Sequence, residues 1–197
     1  MKNMTIWNIA RACKGHLAVP AGKHTGTCPA AGMAVIRGYS GKEAAGIVID
    51  SRKVEPGDIF VAIRGERVDG HQFIREVFDK GAIAVVCEEE PEELPGPCIR
   101  VEDSLAALRQ IAAFYREQMP IPIVGITGSV GKTSTKEFVA SVLAQKYKTH
   151  KTQGNFNNEI GVPLTLLAMP EDAEAAVVEM GINHFGEMHR LSEMVKP

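Results

Sequence analysis

The sequence predicts an α/β fold divided into two domains, and three observations lead to this prediction. Segments with the pattern of buried strands alternate with segments whose apolar residues recur at helical spacing, which favours parallel sheets. A glycine-rich turn joins one such strand to a helix in the second half of the chain. The prolines of Met119-Pro120-Ile121-Pro122 interrupt the pattern between the two halves. We therefore predict an N-terminal domain over residues 1–118 and a second domain over residues 119–197.

The N-terminal domain is predicted to have at least four short strands. They are runs of β-branched and other apolar residues, bounded by turn residues, at 47–49, 59–63, 82–87 and 99–101. Between residues 15 and 46 the many glycines and alanines do not allow strand and loop to be separated by periodicity. That stretch is left without an assignment.

Three helices are predicted in the same domain. Helical spacing in the first places Trp7, Ile9, Ala10 and Cys13 on one apolar face. The second follows Asp69-Gly70 and should end in a left-handed cap at Gly81. The third begins at a cap formed by either Asp103 or Ser104 and carries apolar residues as far as Tyr115.

The second domain is predicted to alternate strands at 123–127 and 175–180 with helices at 132–145 and 187–195. In the first of these helices, the pairs Phe138/Val142 and Val139/Leu143 are expected to face the core. Two strands make a sheet too small to be stable alone. We therefore expect the chain to be the N-terminal part of a longer enzyme.

Composition limits the classes of partner and compartment. The net charge is −2 and the sequence pI is about 6.3, so the chain lacks the basic field that draws nucleic acid or anionic lipid. No segment has the length of a signal peptide core or of a membrane span. We expect a cytoplasmic protein with no nucleic-acid partner and no membrane span. The four cysteines form no CxxC pair, which indicates reduced, structural thiols.

The glycine-rich turn has the arrangement of a phosphate-binding loop, in which backbone N–H groups and a helix N-terminus point at a phosphate. The candidate nucleotide-binding residues are consecutive: Thr127, Gly128, Ser129, Val130, Gly131, Lys132, Thr133 and Ser134. Lys132 would reach the β- and γ-phosphates of ATP, and the Thr133 hydroxyl would ligate Mg²⁺. The GxxxxGK[ST] pattern is not met, because Ile126 stands where its first glycine would be. An ordinary strand-to-helix turn is the alternative.

A metal-binding carboxylate is expected at the end of a neighbouring buried strand, and Glu179 follows the apolar run 175–178. We predict that Glu179 and Thr133 hold the metal; a solvated acidic residue at a strand end is the alternative. His184, Glu187 and His189 fit no standard zinc spacing, so we interpret them as polar residues at a helix start.

The segment 127–133 resembles the Thr-Gly-x-x-Gly-Lys-Thr loop of the Mur ligases, the amide-forming family that includes folylpolyglutamate synthases. The stretches 152–164 and 179–187 are similar to further motifs of the branch that adds D-alanyl-D-alanine to UDP-N-acetylmuramoyl-tripeptide. The stretches 50–62 and 69–74 resemble the UDP-binding domain of the same branch. The resemblance implies a small N-terminal UDP-binding α/β domain followed by an incomplete P-loop-type parallel-sheet domain.

The resemblance also implies a reaction. ATP would phosphorylate the terminal carboxylate of UDP-N-acetylmuramoyl-tripeptide, and the amine of D-alanyl-D-alanine would attack the acyl phosphate. ATP and Mg²⁺ are the expected cofactors, and we expect a monomer. Lys132 and Glu179 are expected to be catalytic. Asn155 and Asn158 would orient the reacting groups, although helix capping by Asn158 is an alternative.

For the uridine diphosphate, Ser51 and Arg52 follow a predicted strand, where a hydroxyl and a guanidinium can bind pyrophosphate oxygens; a solvated turn is the alternative. Asp69, Gly70 and His71 either complete that site or cap the following helix. Two rival functions remain at this level: a P-loop kinase or NTPase, and a module that binds a UDP-sugar and ATP without catalysis. If the chain is part of a ligase, as the resemblance implies, its 197 residues alone are not expected to turn over the ligase substrates.

Overall fold

The computed structural model describes residues 1–20, 38–39, 41–65, 68–182 and 185–197. Within these, the chain divides into two compact units, Met1–Leu108 and Arg109–Pro197. The division lies upstream of the predicted boundary between residues 118 and 119, so the functional domain limits stay a prediction. Each unit contains one sheet, as expected for two α/β domains with separate cores.

The first unit is built on a mixed, five-stranded sheet. Its strands are β1 (His16–Ala18), β2 (Ile47–Val48), β3 (Ile59–Val61), β4 (Ala84–Cys87) and β5 (Cys98–Arg100). They lie in the order β1-β5-β4-β3-β2, and all pairs are parallel except β1 with β5. The four predicted strands are present; β2, β3 and β4 are shorter than predicted, and β5 is shifted by one residue. β1 lies in the stretch that periodicity left unassigned, because three residues are too few to show a period.

Strands β3 and β4 of this sheet have an apolar residue or a cysteine at every position. All of β3 and β4 is buried, which is the pattern of parallel strands covered on both faces. Phe60, Val85 and Val77 belong to one core cluster. The three cysteines that the structure describes, Cys13, Cys87 and Cys98, are buried and free; Cys28 lies outside the described residues.

Helix α1 (Ile6–Ala12) has the predicted apolar face except at Trp7. Ile9, Ala10 and Cys13 are buried, as is Ile6, whereas Trp7 is 49% exposed. The buried set follows the i, i+3, i+4 spacing of one helical stripe, and Trp7 lies outside that stripe. Trp7 was placed on the buried face because its side chain is large and apolar.

Helices α2 (Ile74–Asp79) and α3 (Ser104–Glu117) have the predicted ends. Gly81 follows α2 with a φ of 99°, and its N–H donates to the carbonyl of Phe78 at 2.9 Å. At the start of α3, Asp103 is the capping residue, since its Oδ1 accepts from the N–H groups of Leu105 and Ala106 at 2.8 and 2.9 Å.

The second unit is built on a parallel, three-stranded sheet. Its strands are β6 (Ile123–Ile126), β7 (Thr149–Lys151) and β8 (Ala175–Glu179), in the order β6-β8-β7. Its helices are α4 (Lys132–Leu143), α5 (Gly161–Leu167) and α6 (Glu187–Val195). β7 was not predicted, because its Thr-His-Lys sequence is polar and only half-buried. β6 and β8 are neighbours, which brings the ends of both strands to one edge.

Helix α4 turns a different face to the sheet from the one that was predicted. Phe138 and Val142 are 72% and 71% exposed, so their assignment to the core was wrong. The buried residues of α4 are Lys136 and Ala140. Apolar periodicity could not identify this face because its central residue is a lysine.

No helix in the described part of the chain is long and apolar enough to cross a membrane.

The exposure of Phe138 has a measurable consequence. We expect Phe138→Ala to change the free energy of unfolding by less than about 0.5 kcal/mol, as for a surface substitution. Leu166→Ala, at a fully buried site of α5, should cost about 2–5 kcal/mol through loss of packing and the cavity it leaves. Urea unfolding followed by circular dichroism measures both. A large cost at Phe138 would contradict the observed orientation of α4.

Candidate functional site

The loop between β6 and α4 has the backbone of a phosphate cradle. Gly128 and Gly131 have φ values of 138° and 78°, a region that side chains other than glycine rarely adopt. Gly131 is the N-cap of α4 and has no side chain to bind the first N–H groups of the helix. Those groups and the positive end of the helix dipole therefore face the loop, where an anion can accept from them.

Lys132 is hydrogen-bonded within this loop. Its ammonium donates to the carbonyl oxygen of Gly128 at 2.8 Å. The side chain thus lies across the loop, where a bound phosphate could replace the carbonyl as its acceptor. Thr127, Ser129, Val130 and Ser134 are exposed, and Val130 is 92% exposed. The loop is therefore accessible to solvent.

Glu179 lies at the end of β8, beside this loop. The register of the sheet pairs it with Ile126, the last residue of β6. Its side chain is 2% exposed, so it is not the solvated strand-end carboxylate that was the alternative. The hydroxyl of Thr133 donates to it, at 3.1 Å from Oε2 and 3.4 Å from Oε1. The two predicted metal ligands are therefore in direct contact.

These two groups fit a magnesium ion that also binds phosphate. Mg²⁺ prefers oxygen ligands and usually takes one or two carboxylates, completing its shell with water and phosphate oxygens. Among the described residues, no three His, Cys, Asp or Glu side chains come together as a metal site. Thr133 and Glu179 would then hold a cation only together with a nucleotide. Of the three residues interpreted as polar residues at a helix start, Glu187 and His189 lie in the first turn of α6; Glu187 is buried and His189 is 77% exposed. His184 lies outside the described residues.

Asn157 is a site residue that the sequence analysis missed. Its Nδ2 donates to Oε1 of Glu179 at 2.8 Å, and its carbonyl accepts from Gly181 at 2.7 Å. Asn158 instead caps α5, accepting from the N–H of Gly161 at 2.8 Å. Asn155 is exposed. Three asparagines within four residues gave the signal, but the loop conformation decides which of them contacts the carboxylate.

The loop that carries Asn157 is held in place from two sides. A Cβ on Gly161 would lie 2.4 Å from the Phe156 backbone, so the close approach of these segments requires glycine. Glu159 pairs with Arg190 at 2.6 Å and with Arg109 at 3.4 Å. Anchored in this way, the loop keeps its asparagine against Glu179.

Lys136 is the second site residue that the sequence analysis missed. It lies one turn beyond Lys132 on α4 and is 1% exposed. Its ammonium donates to the carbonyl of Thr152 at 2.9 Å and lies 3.9 Å from Oε2 of Glu179. The Thr152 hydroxyl accepts from the backbone N–H of Glu179 at 2.9 Å. The carboxylate thus has partners on α4 and on the asparagine-rich loop, and Thr152 holds its backbone.

In the first unit, Ser51 and Arg52 follow β2 in a short 3-10 turn, Ser51–Lys53. Ser51 is buried. Arg52 is 85% exposed and binds both carboxylate oxygens of Asp50, at 2.8 and 2.7 Å. These hydrogen bonds lower the pKa of Asp50 to about 2. An exposed ion pair is weak, so Arg52 remains able to exchange this partner for another anion.

Asp69, Gly70 and His71 form the start of a second 3-10 turn, Gly70–Phe73. Oδ1 of Asp69 accepts from the backbone N–H of His71 at 2.9 Å, which is the capping alternative. His71 Nε2 accepts from the N–H of Glu88 at 2.9 Å, so the ring proton is on Nδ1, 2.6 Å from Asp69. Because β2 and β3 are parallel neighbours, both turns follow strands that end at the same edge.

We expect Asn157→Ala to weaken the binding of ADP and Mg²⁺ by about tenfold or more, since a hydrogen bond to a charged group contributes about 1.5–3 kcal/mol. Asn155→Ala is the matched control, because Asn155 lies in the same loop and is exposed; it should stay within about twofold. Isothermal titration calorimetry measures both. Equal losses in the two variants would contradict the role given to Asn157.

Two family models match the chain. Residues 43–116 match the Mur ligase family, catalytic domain, and residues 126–197 match the Mur ligase middle domain. Among curated proteins, the UDP-N-acetylmuramoyl-tripeptide–D-alanyl-D-alanine ligase of Bacillus subtilis is 41% identical over 202 residues, which cover all of this chain and 40% of that protein. The ligase of the same name from Synechocystis is 48% identical over 153 residues, which cover 77% of this chain and 34% of that protein.

Solved structures agree with these matches. The diaminopimelate–D-alanyl-D-alanyl ligase of Acinetobacter baumannii superposes with a TM-score of 0.78 and 34% identity, over 96% of this chain and 39% of that one. The MurF ligase of Thermotoga maritima, solved in complex with ADP, has a TM-score of 0.70 and 36% identity, over 75% of this chain and 34% of that one. The chain thus spans two fifths or less of these relatives. With both halves matched by models of one family, the chain belongs to the Mur ligases.

Proposed function

We propose that this chain carries the UDP-binding part and the phosphate-binding part of an ATP-dependent ligase that joins D-alanyl-D-alanine to UDP-N-acetylmuramoyl-tripeptide. The observation that carries the proposal is the contact of Thr133 with the buried Glu179 beside a glycine-rich loop. The names of the relatives support the choice of substrates. The ADP bound by the Thermotoga maritima ligase supports the choice of nucleotide.

In the second unit, each residue has a role suited to phosphoryl transfer. Such transfer depends on positioning and charge neutralisation rather than on a protein nucleophile. Lys132 would leave the Gly128 carbonyl and bind the β- and γ-phosphates, and the N–H groups of α4 would hold their remaining oxygens. Mg²⁺, held by Thr133 and Glu179, supplies charge neutralisation when bound. Asn157 keeps the carboxylate directed at the Thr133 hydroxyl.

That transfer would give ADP and an acyl phosphate on the tripeptide carboxylate; the amine of D-alanyl-D-alanine would attack the acyl carbon, forming the amide and releasing inorganic phosphate. Orientation of the two substrates makes this attack effectively intramolecular. Asn155 is exposed at the rim of the loop and remains available for a substrate. Asn158 contributes by capping α5 and so by shaping the same loop. The 197 residues supply the nucleotide side of this reaction, and we do not expect them to complete it.

In the first unit, the exposed guanidinium of Arg52 is the group best suited to a pyrophosphate, since it can exchange Asp50 for phosphate oxygens. Ser51 would contribute its hydroxyl or backbone, and Asp69, Gly70 and His71 would shape the neighbouring rim. We propose residues 1–118 as the UDP-precursor domain and residues 119–197 as part of the ATP domain. We also propose a monomeric, cytoplasmic enzyme with no nucleic-acid partner.

Titration calorimetry of the chain with UDP-N-acetylmuramoyl-tripeptide, UDP and ATP-Mg²⁺ tests the proposal. Arg52→Ala should weaken uridine ligands by about tenfold or more, because a charge-assisted hydrogen bond contributes about 1.5–3 kcal/mol. Lys53→Ala is the matched control on the same exposed turn and should change little. Lys132→Ala should weaken ATP-Mg²⁺ and leave the uridine ligands unaffected.

Binding of ATP-Mg²⁺ without binding of any uridine ligand would contradict the ligase assignment. It would favour a P-loop kinase or NTPase. Binding of both ligand classes with no transfer of phosphate in a full-length relative carrying these residues would favour a non-catalytic module.

A further inference from the structure

Lys136 is a buried lysine on the face of α4 that packs against β8. An ammonium with 1% exposure is costly unless hydrogen-bonded and paired with a negative charge. The proposed phosphoryl transfer uses Lys132, which lies on the open loop, and gives Lys136 no task. The two lysines are four residues apart, so they lie on one side of the same helix. The proposed transfer therefore does not explain why position 136 carries a buried charge.

Three oxygens surround the Lys136 ammonium. The carbonyl of Thr152 accepts its hydrogen bond at 2.9 Å, Oε1 of Glu137 lies at 3.3 Å, and Oε2 of Glu179 lies at 3.9 Å. Glu137 is nearer than Glu179, but its side chain is 48% exposed and also pairs with Lys151. Water and a second cation can therefore compensate Glu137 if Lys136 is removed.

Glu179 has no such substitute. Its side chain is 2% exposed, and within the described residues Lys136 is the one cationic group paired with it. Thr133 and Asn157 donate to its oxygens, but both are neutral. A buried carboxylate that loses its only cation keeps the full desolvation cost. The charge balance of this carboxylate therefore depends on Lys136.

Thr152 links the two charged residues independently of their side-chain contact. Its carbonyl accepts from Lys136, and its hydroxyl accepts from the backbone N–H of Glu179 at 2.9 Å. Thr152 is fully buried. The ammonium thus stays anchored to the backbone even when the carboxylate binds a different cation. Such an anchor suits a partner that must give up its contact with Glu179 and take it again.

We propose that Lys136 is a positioning residue, the resident counter-ion that Glu179 keeps until a nucleotide brings a divalent cation to replace it. The proposal rests on the proposed function, because it requires Glu179 to be a cation ligand. While Lys136 neutralises the carboxylate, the site attracts free cations weakly. Binding of the cation then depends on the phosphates that arrive with it.

A stability cycle on the 197-residue chain tests the pairing without any metal. In EDTA, Lys136→Met should lower the melting temperature by about 10 °C, because it leaves a buried carboxylate unpaired. Adding Glu179→Gln should recover at least half of that loss, since the neutral amide needs no counter-ion. Thermal denaturation followed by circular dichroism gives both values. If Lys136→Met does not fold, a folded double variant is the same result.

Three controls isolate the pair. Adding Glu137→Gln to Lys136→Met should recover nothing, although Glu137 is the nearer carboxylate. Lys136→Arg keeps the charge and should lie closer to the wild type than Lys136→Met. Lys146→Met makes the same change at an exposed lysine and should leave the melting temperature nearly unchanged. A double variant with Glu179→Gln that is no more stable than Lys136→Met alone would overturn the proposal.

Electron paramagnetic resonance of Mn²⁺ tests the exchange of counter-ions. The wild type should bind Mn²⁺ weakly alone and at least tenfold more tightly with ADP, whereas folded Lys136→Met should bind it at least tenfold more tightly than the wild type without any nucleotide. Equal or weaker binding by Lys136→Met would overturn the exchange. If ADP brings no Mn²⁺ to the wild type, the cation site of the proposed function fails, whereas the pairing is decided by the stability cycle alone.

Discussion

The burial of one carboxylate at the end of β8 is the constraint on which the second unit depends. Glu179 is 2% exposed, and a group of this kind is tolerated only when it is hydrogen-bonded and paired. Thr133, on the helix after the phosphate loop, and Asn157, on the asparagine-rich loop, donate to its carboxylate. Thr152, at the end of β7, accepts from its backbone N–H. Each of these segments must therefore take a defined position relative to β8. The need to satisfy one buried carboxylate thus fixes the positions of the segments that form the site.

This arrangement explains how an open loop and a rigid centre coexist. The phosphate loop is exposed, and Lys132 donates to the carbonyl of Gly128 within it, an acceptor that a ligand can replace. Beneath it, Thr133 is hydrogen-bonded to Glu179, and Lys136 lies 3.9 Å from the same carboxylate, where an arriving cation would take its place. Preorganised groups of this kind lose little entropy when charge develops beside them. The loop admits the ligand, and the buried residues hold the geometry.

The sequence predicted those parts of the fold and site that depend on local patterns. The strand, the glycine-rich turn and the helix of the phosphate loop are contiguous, and Glu179 ends a strongly apolar run. Asn157 and Lys136 could not be predicted in the same way, because their roles depend on tertiary contacts with Glu179. Phe138 was placed in the core because apolar periodicity does not recognise a face of a helix whose central buried residue is the charged Lys136.

The first unit shows the same limit from another direction. Its parallel strands were predicted from continuous apolar runs, whereas β1 was too short to recognise. The turns at Asp50 and Asp69 are explained by capping alone, since each carboxylate accepts from a backbone N–H two residues on. Such turns present the same residue types as a ligand site. Only the exposed Arg52 distinguishes the first turn as a place where an anion can bind.

Diffraction from crystals of the chain grown with ADP and Mn²⁺ tests the central claim most directly. The anomalous signal of Mn²⁺ locates the cation without reference to the protein density. We predict one peak within coordination distance of both the Thr133 hydroxyl and the Glu179 carboxylate. A cation bound only by phosphates and water, with the hydrogen bond from Thr133 to Glu179 intact, would contradict the account.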